Sequence, residues 1–446
     1  MDRLPTAVQS VESATSREVM LDRYRAVRRA SIRMCEPLAP EAFRIQPIEE
    51  VSPPWWNLGH TSWFYVRNLL EPFDGELLAE DEDYDFVLNS YYASLGPRVS
   101  RCRRGMLTRP TTEEVYRYRE SVDRRMEELI PRVEEDRWSD FAFTLTVGLN
   151  HEQQHQELFY GEIKYTLAQD PFPLRRPYRE AEEGEEPVSE RLASEVEMLS
   201  FEGGLQEFGN LEGGWCWDNE LPVHRYYLPP FAFQNRLVTN GEYLEFIEDG
   251  GYARQLLWLD NGWARVQAEE WNGPLYWERL GGQWWLWTLV GGRAIDPAEP
   301  VCHVSFYEAE AFARWKAQTF DDYRGARLPT EREWEHAVRS SGQTPQSGNL
   351  LDSGALHPRP AESPHALKQA FGDVWEWTVS YYEPYPGYQA FSGTLAEYNG
   401  KFMDNQRVLR GGSCVTPADH IRTSYRNFWA PGTRFQFTGL RLAQDL

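Results

Sequence analysis

Residues 139–168 read SDFAFTLTVGLNHEQQHQELFYGEIKYTLA, and this stretch decides how the first part of the chain folds. Its apolar residues recur with helical period, and the run ends at Asp170-Pro171, which predicts a helix from about Ser139 to Ala168. Within it, His151-Glu-Gln-Gln-His155 puts two imidazoles at i and i+4 on one face, close enough to chelate a single metal ion. Upstream, Ser16 can cap a helix whose inward stripe is Met20, Tyr24, Val27 and Met34. A second helical stretch follows Pro53-Pro54 and carries Trp56, His60 and Trp63 on one face. Thr111 and Glu114 form a capping box ahead of Val115, Tyr118, Val122, Met126 and Leu129. Four helices, with one long connection between the second and third, predict a helical bundle over residues 1–175.

Residues 176–197 are rich in Pro, Arg and Glu without an apolar period, and read as an acidic linker. From 198 to 446 glycine pairs recur, tryptophan is frequent, and short strand-like runs alternate with loops. Only two clear helices are expected there, near Thr239–Glu248 and Ser305–Ala317, with a shorter one after Pro329-Thr330. The second half is therefore an α+β domain with much irregular structure. No internal repeat is visible.

The formal charge of −23 disfavours nucleic acid and anionic membrane surfaces, which would repel the chain. Five cysteines, odd in number and without CxxC spacing, point to scattered thiols in a reducing compartment rather than a disulfide framework. With no stretch of about 18 apolar residues and no signal-like start, the expected location is the cytoplasm.

His60 is the third candidate ligand beside His151 and His155, because facing helices of a bundle readily assemble metal sites. A lone histidine is usually a satisfied core or surface residue. Three at bundle-interior positions, out of nine in the chain, favour metal. His151-Glu152-x-x-His155 also matches the zinc-hydrolase pattern, with Glu152 as general base. That pattern takes its third ligand downstream, whereas here the third imidazole lies far upstream.

Longer runs carry a resemblance that covers nearly the whole chain. Ser52-Pro-Pro-Trp-Trp-Asn-Leu-Gly-His60-Thr-Ser-Trp-Phe64, Asn89-Ser-Tyr-Tyr92, Arg104-Gly-Met-Leu-Thr-Arg-Pro110 and His151-Glu-Gln-Gln-His-Gln-Glu157 resemble the DinB-like domain of ergothioneine-type sulfoxide synthases, the EgtB family. Val238-Thr-Asn-Gly-Glu-Tyr243, Arg327-Leu-Pro-Thr-Glu-Arg-Glu-Trp334, Gly372-Asp-Val-Trp-Glu-Trp-Thr378, Arg410-Gly-Gly-Ser413 and Arg426-Asn-Phe-Trp429 through Gly439-Leu-Arg-Leu-Ala443 resemble a formylglycine-generating-enzyme-like domain. The resemblance implies a DinB-like four-helix bundle fused to that α+β, C-type-lectin-like fold, which completes the substrate pocket. It implies Fe(II) on His60, His151 and His155, O2 as oxidant, and a C–S or C–Se bond formed between a thiol or selenol donor and the imidazole ring of hercynine. A tyrosine supplying a proton or hydrogen atom is expected from Tyr91 and Tyr92 or from Tyr382 and Tyr385. Gln154 and Asn427 are the expected holders of hercynine's polar groups, with Phe428 or Trp429 lining the pocket. Arg98 and Arg101 match the position that binds the donor's carboxylate.

Two departures bear on the donor. Members using γ-glutamylcysteine can carry an acidic residue where this chain has Trp429, and the His60 helix reads Trp-Asn-Leu-Gly-His where Trp-His-Leu-Ala-His is commoner. Cysteine, γ-glutamylcysteine and a selenosugar, as in selenoneine synthases, all stay open as donors. Formylglycine generation itself needs a closely spaced cysteine pair after Arg-Gly-Gly-Ser, and only Cys414 follows Ser413.

Overall fold

A computed structural model describes residues 15–75, 77–171, 175–180, 193–362 and 366–446. Positions 1–14 and most of the expected linker, 181–192, lie outside the described residues. The chain divides into two compact units. One holds the described residues up to Tyr178 together with Glu212–Cys216 and Ala390–Gly400. The other holds the described residues of Arg179–Leu211, Trp217–Gln389 and Lys401–Leu446.

In the first unit, helix α1 (Arg17–Arg33) starts where Ser16 Oγ accepts the Val19 N–H at 3.3 Å, and Met20, Tyr24 and Val27 face inward. Helix α2 (Pro54–Tyr65) begins with Pro at its first position and is buried at every residue, so it is the central element. It runs on through a π-helical turn, Val66–Leu70. Helix α3 (Ala79–Leu88) was not anticipated in the long connection. Its acidic sequence has no apolar stripe, and Leu78 caps it through the backbone, with Leu78 N–H donating to Asp81 at 2.8 Å. What holds it is a buried ion pair, Asp81 to Arg125 at 2.9 Å, and the buried Leu88.

Helix α4 (Thr112–Arg132) has the expected capping box, with both Thr111 and Glu114 bonds made. Helix α5 (Glu135–Ala168) begins four residues earlier than expected, because Glu135 and Asp136 suit the positive end of the helix dipole. Gly148 lets α5 approach α2, since a Cβ there would lie 2.7 Å from the Tyr65 ring.

Glu152 joins three of these helices. Its carboxylate accepts from Arg119 Nη2 at 2.5 Å, Arg28 Nη1 at 3.1 Å and Ser31 Oγ at 2.5 Å, all of them buried. The two guanidiniums and the serine hold the carboxyl down at about 2 against the opposing effect of burial.

The second unit contains four small sheets. Strands β1 (Met198–Phe201), β4 (Phe231–Gln234) and β12 (Ala443–Asp445) form one, and β2 (Gly204–Phe208) pairs with β3 (His224–Leu228). Strands β5 (Trp277–Leu280), β6 (Gln283–Thr288) and β7 (Gly291–Ala294) form a meander. The fourth sheet orders β10 (Asn427–Trp429), β9 (Arg407–Arg410), β8 (Trp375–Tyr381) and β11 (Thr438–Gly439).

Helices α6 (Asn240–Glu248), α8 (Phe306–Thr319) and α9 (Glu331–Ser341) fall where expected. Helix α7 (Asp260–Ala268) is an addition. Gly262 lowers its propensity, yet a Cβ there would meet the Tyr307 side chain at 2.7 Å. The quoted motifs of this half serve its interior: Arg426 pairs with Glu331 at 2.8 Å, Arg410 with Glu335 at 2.6 Å and Arg441 with Glu376 at 2.9 Å.

Breaking a buried ion pair from one side costs more than the pair contributes, because a charge stays behind in apolar surroundings. Glu152→Gln takes from Arg119 the carboxylate it pairs with and leaves Arg28 with Asp123 alone, at 2.5 Å, and should cost the helical unit about 3–5 kcal/mol. Urea unfolding of the metal-free protein, followed by far-ultraviolet circular dichroism, measures this, and an unchanged midpoint would refute the clamp.

Candidate metal centre

Burial and neighbouring aromatics shape the site around His60, His151 and His155. The three imidazoles each offer a ligand nitrogen, and these atoms lie within 4.8 Å of one another. Their rings stand edge to face, with centroids 4.7–5.0 Å apart. Trp56 stacks on His60 at 4.6 Å, Trp63 lies beyond it at 5.7 Å, and Phe64 sits 4.5 Å from His151. The spacing explains the placement, since 56, 60 and 63 fall on one face of α2 and 151 and 155 on one face of α5.

Burial pushes all three imidazoles well below their usual range, His151 to about 3. The positive charge of its neighbours lowers His60 and His155 further, with Arg104 acting on both. At neutral pH the cluster is therefore three uncharged bases. His60 Nδ1–H donates to the Leu88 carbonyl at 2.6 Å, and His155 Nδ1–H donates to Asn57 Oδ1 at 2.9 Å. Those bonds leave the Nε2 lone pairs of both rings available. Nε2 of His60 and both nitrogens of His151 are buried without a hydrogen-bond partner. Buried polar nitrogens of this kind are rare unless something absent from the protein chain satisfies them. Three neutral nitrogen donors fit a divalent transition metal.

Glu152 does not serve this centre as a base. Both its oxygens are committed to Arg28, Arg119 and Ser31, and its carboxyl is held near 2. The hydrolase pattern His-Glu-x-x-His is matched in letters and not in arrangement.

Other expected residues divide between the units. Tyr91 and Tyr92 stack at 4.7 Å, and Tyr92, fully buried, lies 5.9 Å from Trp63. Burial, followed by the charge of Tyr91, keeps the Tyr92 hydroxyl protonated well above pH 10. Arg98 and Arg101 are exposed, and Arg101 Nη2–H donates to the Glu50 carbonyl at 2.7 Å. In the second unit, Tyr382 stacks on Phe428 at 4.0 Å and its hydroxyl accepts from Asn219 at 2.8 Å. Tyr385 lies under the Arg426 guanidinium at 4.0 Å, within the Glu331 ion-pair network. Asn427 and Trp429 are half-buried on β10, with Trp429 against Phe435 at 5.4 Å.

Two residues at this centre were given no role by the sequence reading. Tyr398 sends its hydroxyl to Gln154 Oε1 at 2.5 Å and sets its ring 5.8 Å from His151 and 6.3 Å from Tyr91. It comes from Ala390–Gly400, a segment of the first unit that lies 244 residues beyond Gln154 and has no period to announce it. Glu397 fastens that segment by accepting from Ala93 N–H at 3.0 Å, Ser94 N–H at 2.9 Å and Ser94 Oγ at 2.6 Å. Thr394 adds a bond to Asn68 at 2.6 Å on the π turn. Arg104 is the second. Its guanidinium covers the Trp56 ring at 3.3 Å and bonds Ser52 and Ser90, and burial lowers it to about 9. Its spacing from Arg101 was the available signal.

Comparison with known proteins agrees with this division. Residues 23–159 match the DinB superfamily and residues 184–446 match the sulfatase-modifying factor enzyme 1-like domain. Among curated relatives, a hercynine oxygenase of Mycolicibacterium smegmatis is 31% identical over 97% of this chain and 100% of its own. One of Mycolicibacterium thermoresistibile is 32% identical over 80% of this chain and 79% of its own. A formylglycine-generating enzyme of Streptomyces coelicolor is 28% identical over 56% of this chain and 89% of its own. Fold and relatives define an oxygenase-type enzyme with a DinB-like bundle and a formylglycine-generating-enzyme-like domain. The chain belongs to the hercynine oxygenase family, the EgtB type of the ergothioneine pathway. Among the described residues, no helix is long and apolar enough to cross a membrane.

Glu397 gives the site its own test. Glu397→Ala removes charge-assisted bonds worth roughly 1.5–3 kcal/mol each, so hydrogen exchange at the Ala93 and Ser94 amides should speed up by about ten- to a hundredfold. Unchanged exchange at both amides would show that Glu397 does not fasten the segment.

Proposed function

We propose that this protein is a mononuclear non-haem iron(II) enzyme that uses O2 to join sulfur or selenium to the imidazole ring of hercynine. The observation that carries the reading is the cluster of three neutral imidazoles, His60 and His151 buried with unpartnered nitrogens and His155 beside them, in a chain of the hercynine oxygenase family. His60, His151 and His155 would hold the iron, which when bound supplies O2 activation and a Lewis-acidic seat for the chalcogen donor. For a thiol donor the balance is RSH, hercynine and O2 going to the hercynyl sulfoxide and water. One ring C–H and one S–H are lost, and one oxygen atom stays on sulfur.

The chain's own groups account for binding and proton supply. Gln154 and Tyr398, already bonded to each other, offer neutral polar atoms to an imidazole. Asn427, with Phe428 or Trp429, is proposed for hercynine by motif resemblance alone. A trimethylammonium group is suited to aromatic faces rather than a buried counter-charge. In the Tyr91–Tyr92 pair, the Tyr92 hydroxyl, held protonated by burial, can donate a proton. This pair stands in the same unit as the histidines. Tyr385 is instead engaged with Glu331 and Arg426, which favours Tyr91–Tyr92 for the acid role. Arg98 and Arg101 would bind the carboxylate of an amino-acid donor, cysteine or γ-glutamylcysteine, and a selenosugar is the alternative donor. A cytoplasmic setting suits a donor kept reduced.

Two outcomes are expected. His60→Ala, His151→Ala and His155→Ala should each abolish stoichiometric iron binding and turnover, measured by metal analysis after anaerobic loading and by mass spectrometry with hercynine, O2 and each donor. Retention of one iron per chain by the His60 variant would remove that residue from the ligand set. Arg98→Ala or Arg101→Ala should raise the apparent KM for an amino-acid donor by about ten- to a hundredfold while leaving hercynine affinity nearly unchanged. Loss of hercynine binding instead would mean the two ends of the pocket are reversed. If the wild-type protein couples hercynine to a selenosugar and ignores both thiols, selenium is the substrate element.

A further inference from the structure

Behind His155 the polar groups form a chain that leads away from the histidine cluster. His155 Nδ1–H donates to Asn57 Oδ1 at 2.9 Å, and Asn57 Nδ2–H donates to Glu162 Oε2 at 2.6 Å. The other Glu162 oxygen accepts the Ser52 backbone N–H at 2.8 Å. Asn57 and Glu162 are buried, at 4% and 3% exposure, so water does not compete for these bonds. Helix geometry puts the parts in line: Glu162 lies seven residues, two turns, beyond His155 on α5, and Asn57 one turn before His60 on α2.

The direction of each bond follows from the end of the chain. Both Glu162 oxygens face nitrogen donors and accept, so the carboxylate draws the amide nitrogen of Asn57 toward itself. The Asn57 oxygen is then turned to His155 and can only accept. His155 must therefore carry its hydrogen on Nδ1 and its lone pair on Nε2, the nitrogen on the side of His60 and His151. With Asn57 reversed, its NH2 would face Nδ1, the ring hydrogen would move to Nε2, and that lone pair would be lost to the cluster. A bare imidazole has no such preference strong enough to hold one form.

We infer that Glu162 and Asn57 are positioning residues of the metal centre, the carboxylate acting through the carboxamide to set the tautomer and ring plane of His155. Asn57 stands where the commoner form of the motif carries histidine, and the amide passes on the orientation of Glu162 without a titrating ring of its own. The inference rests on the metal-centre reading of His60, His151 and His155.

Cobalt(II) titration of the metal-free protein, read as affinity and as the d–d absorption band, tests it without recourse to turnover. Asn57→Leu should weaken Co(II) binding about ten- to a hundredfold, the usual size for loss of a partner behind a ligand, and alter the band. The polarity-swapped pair, Asn57→Asp with Glu162→Gln, restores every bond. The new carboxylate accepts from His155, while the new carboxamide donates to that carboxylate and accepts from Ser52. Co(II) affinity of the pair should return to within about threefold of wild type, with the wild-type band, because each partner behind the ligand is back in place. A purely structural role for Asn57 would lower the thermal midpoint of the metal-free protein and leave the band unchanged, which would overturn the inference. So would a swapped pair that binds no more tightly than Asn57→Leu. His155→Ala separates the two levels. If it binds Co(II) like wild type, the metal-centre reading fails; if it loses Co(II) while Asn57→Leu keeps wild-type affinity and band, only the relay fails.

Discussion

The pairing of Glu152 with Arg28 and Arg119 governs the helical unit, because it sets the rotation of the helix that carries two of the three histidines. Adjacent residues on a helix point about 100° apart. With Glu152 drawn toward α1 and α4, its neighbour His151 is turned toward α2, and His155 follows one turn later. A buried ion pair of this kind is not a strong source of net stability, since desolvation offsets most of the attraction. Its effect is selective. Any other rotation of α5 would part the Glu152 carboxylate from both guanidiniums and leave Arg119 without the carboxylate it pairs with, and that cost falls on every competing packing.

The same demand for satisfied polar groups explains the rest of the centre. Arg28, Arg119 and Ser31 engage Glu152, Leu88 and Asn57 engage the outer nitrogens of His60 and His155, and Ser52 and Asn57 engage Glu162. Within the cluster itself, Nε2 of His60 and both nitrogens of His151 are left without a hydrogen bond. Trp56, Trp63 and Phe64 close around them and keep water from taking that place. Unmet bonding capacity at one point, inside a shell whose carboxylates and amides are engaged, is what a metal site requires of its protein.

How far the sequence could be read follows from the same physics. Helices α1 and α4 were legible because their start signals are chemical, a capping serine and a reciprocal Thr111–Glu114 box, and both bonds form as read. Helix α3 was not, since an acidic stretch without an apolar stripe gives no period, and its stability comes from a distant partner, Arg125. The three histidines could be grouped because a helix converts spacing into proximity. Tyr398 and Glu397 could not, because irregular segments obey no such conversion and these two join the bundle from far along the chain. In the second half, the glycine and arginine motifs identified the fold family correctly, and the arginines prove to serve internal ion pairs with Glu331, Glu335 and Glu376.

The charge arrangement bears on which donor the centre would accept. The chain as a whole is strongly acidic, yet the groups flanking the histidines on the Trp56 side are cationic, with Arg104 over the ring and Arg101 close enough to depress His155. The buried carboxylate nearest in sequence, Glu152, is neutralised by two arginines of its own. Glu162, a further buried carboxylate, is engaged by the Ser52 N–H and the Asn57 amide. Among the described residues no carboxylate joins the three imidazoles, so a dication held there, as proposed, would have no protein carboxylate to balance it. The first anion admitted would be held strongly in such a weakly polar site. A thiolate or selenolate meets that condition by giving up its proton on binding, and an added carboxylate would be drawn to the exposed arginines beside it. Recognition of the reacting chalcogen and recognition of the donor's remainder are then separate problems for this protein. On the proposed reading the first would be met by the neutrality of the ligand set, common to sulfur and selenium. The second would rest on Arg98 and Arg101, where an amino acid and a sugar differ most.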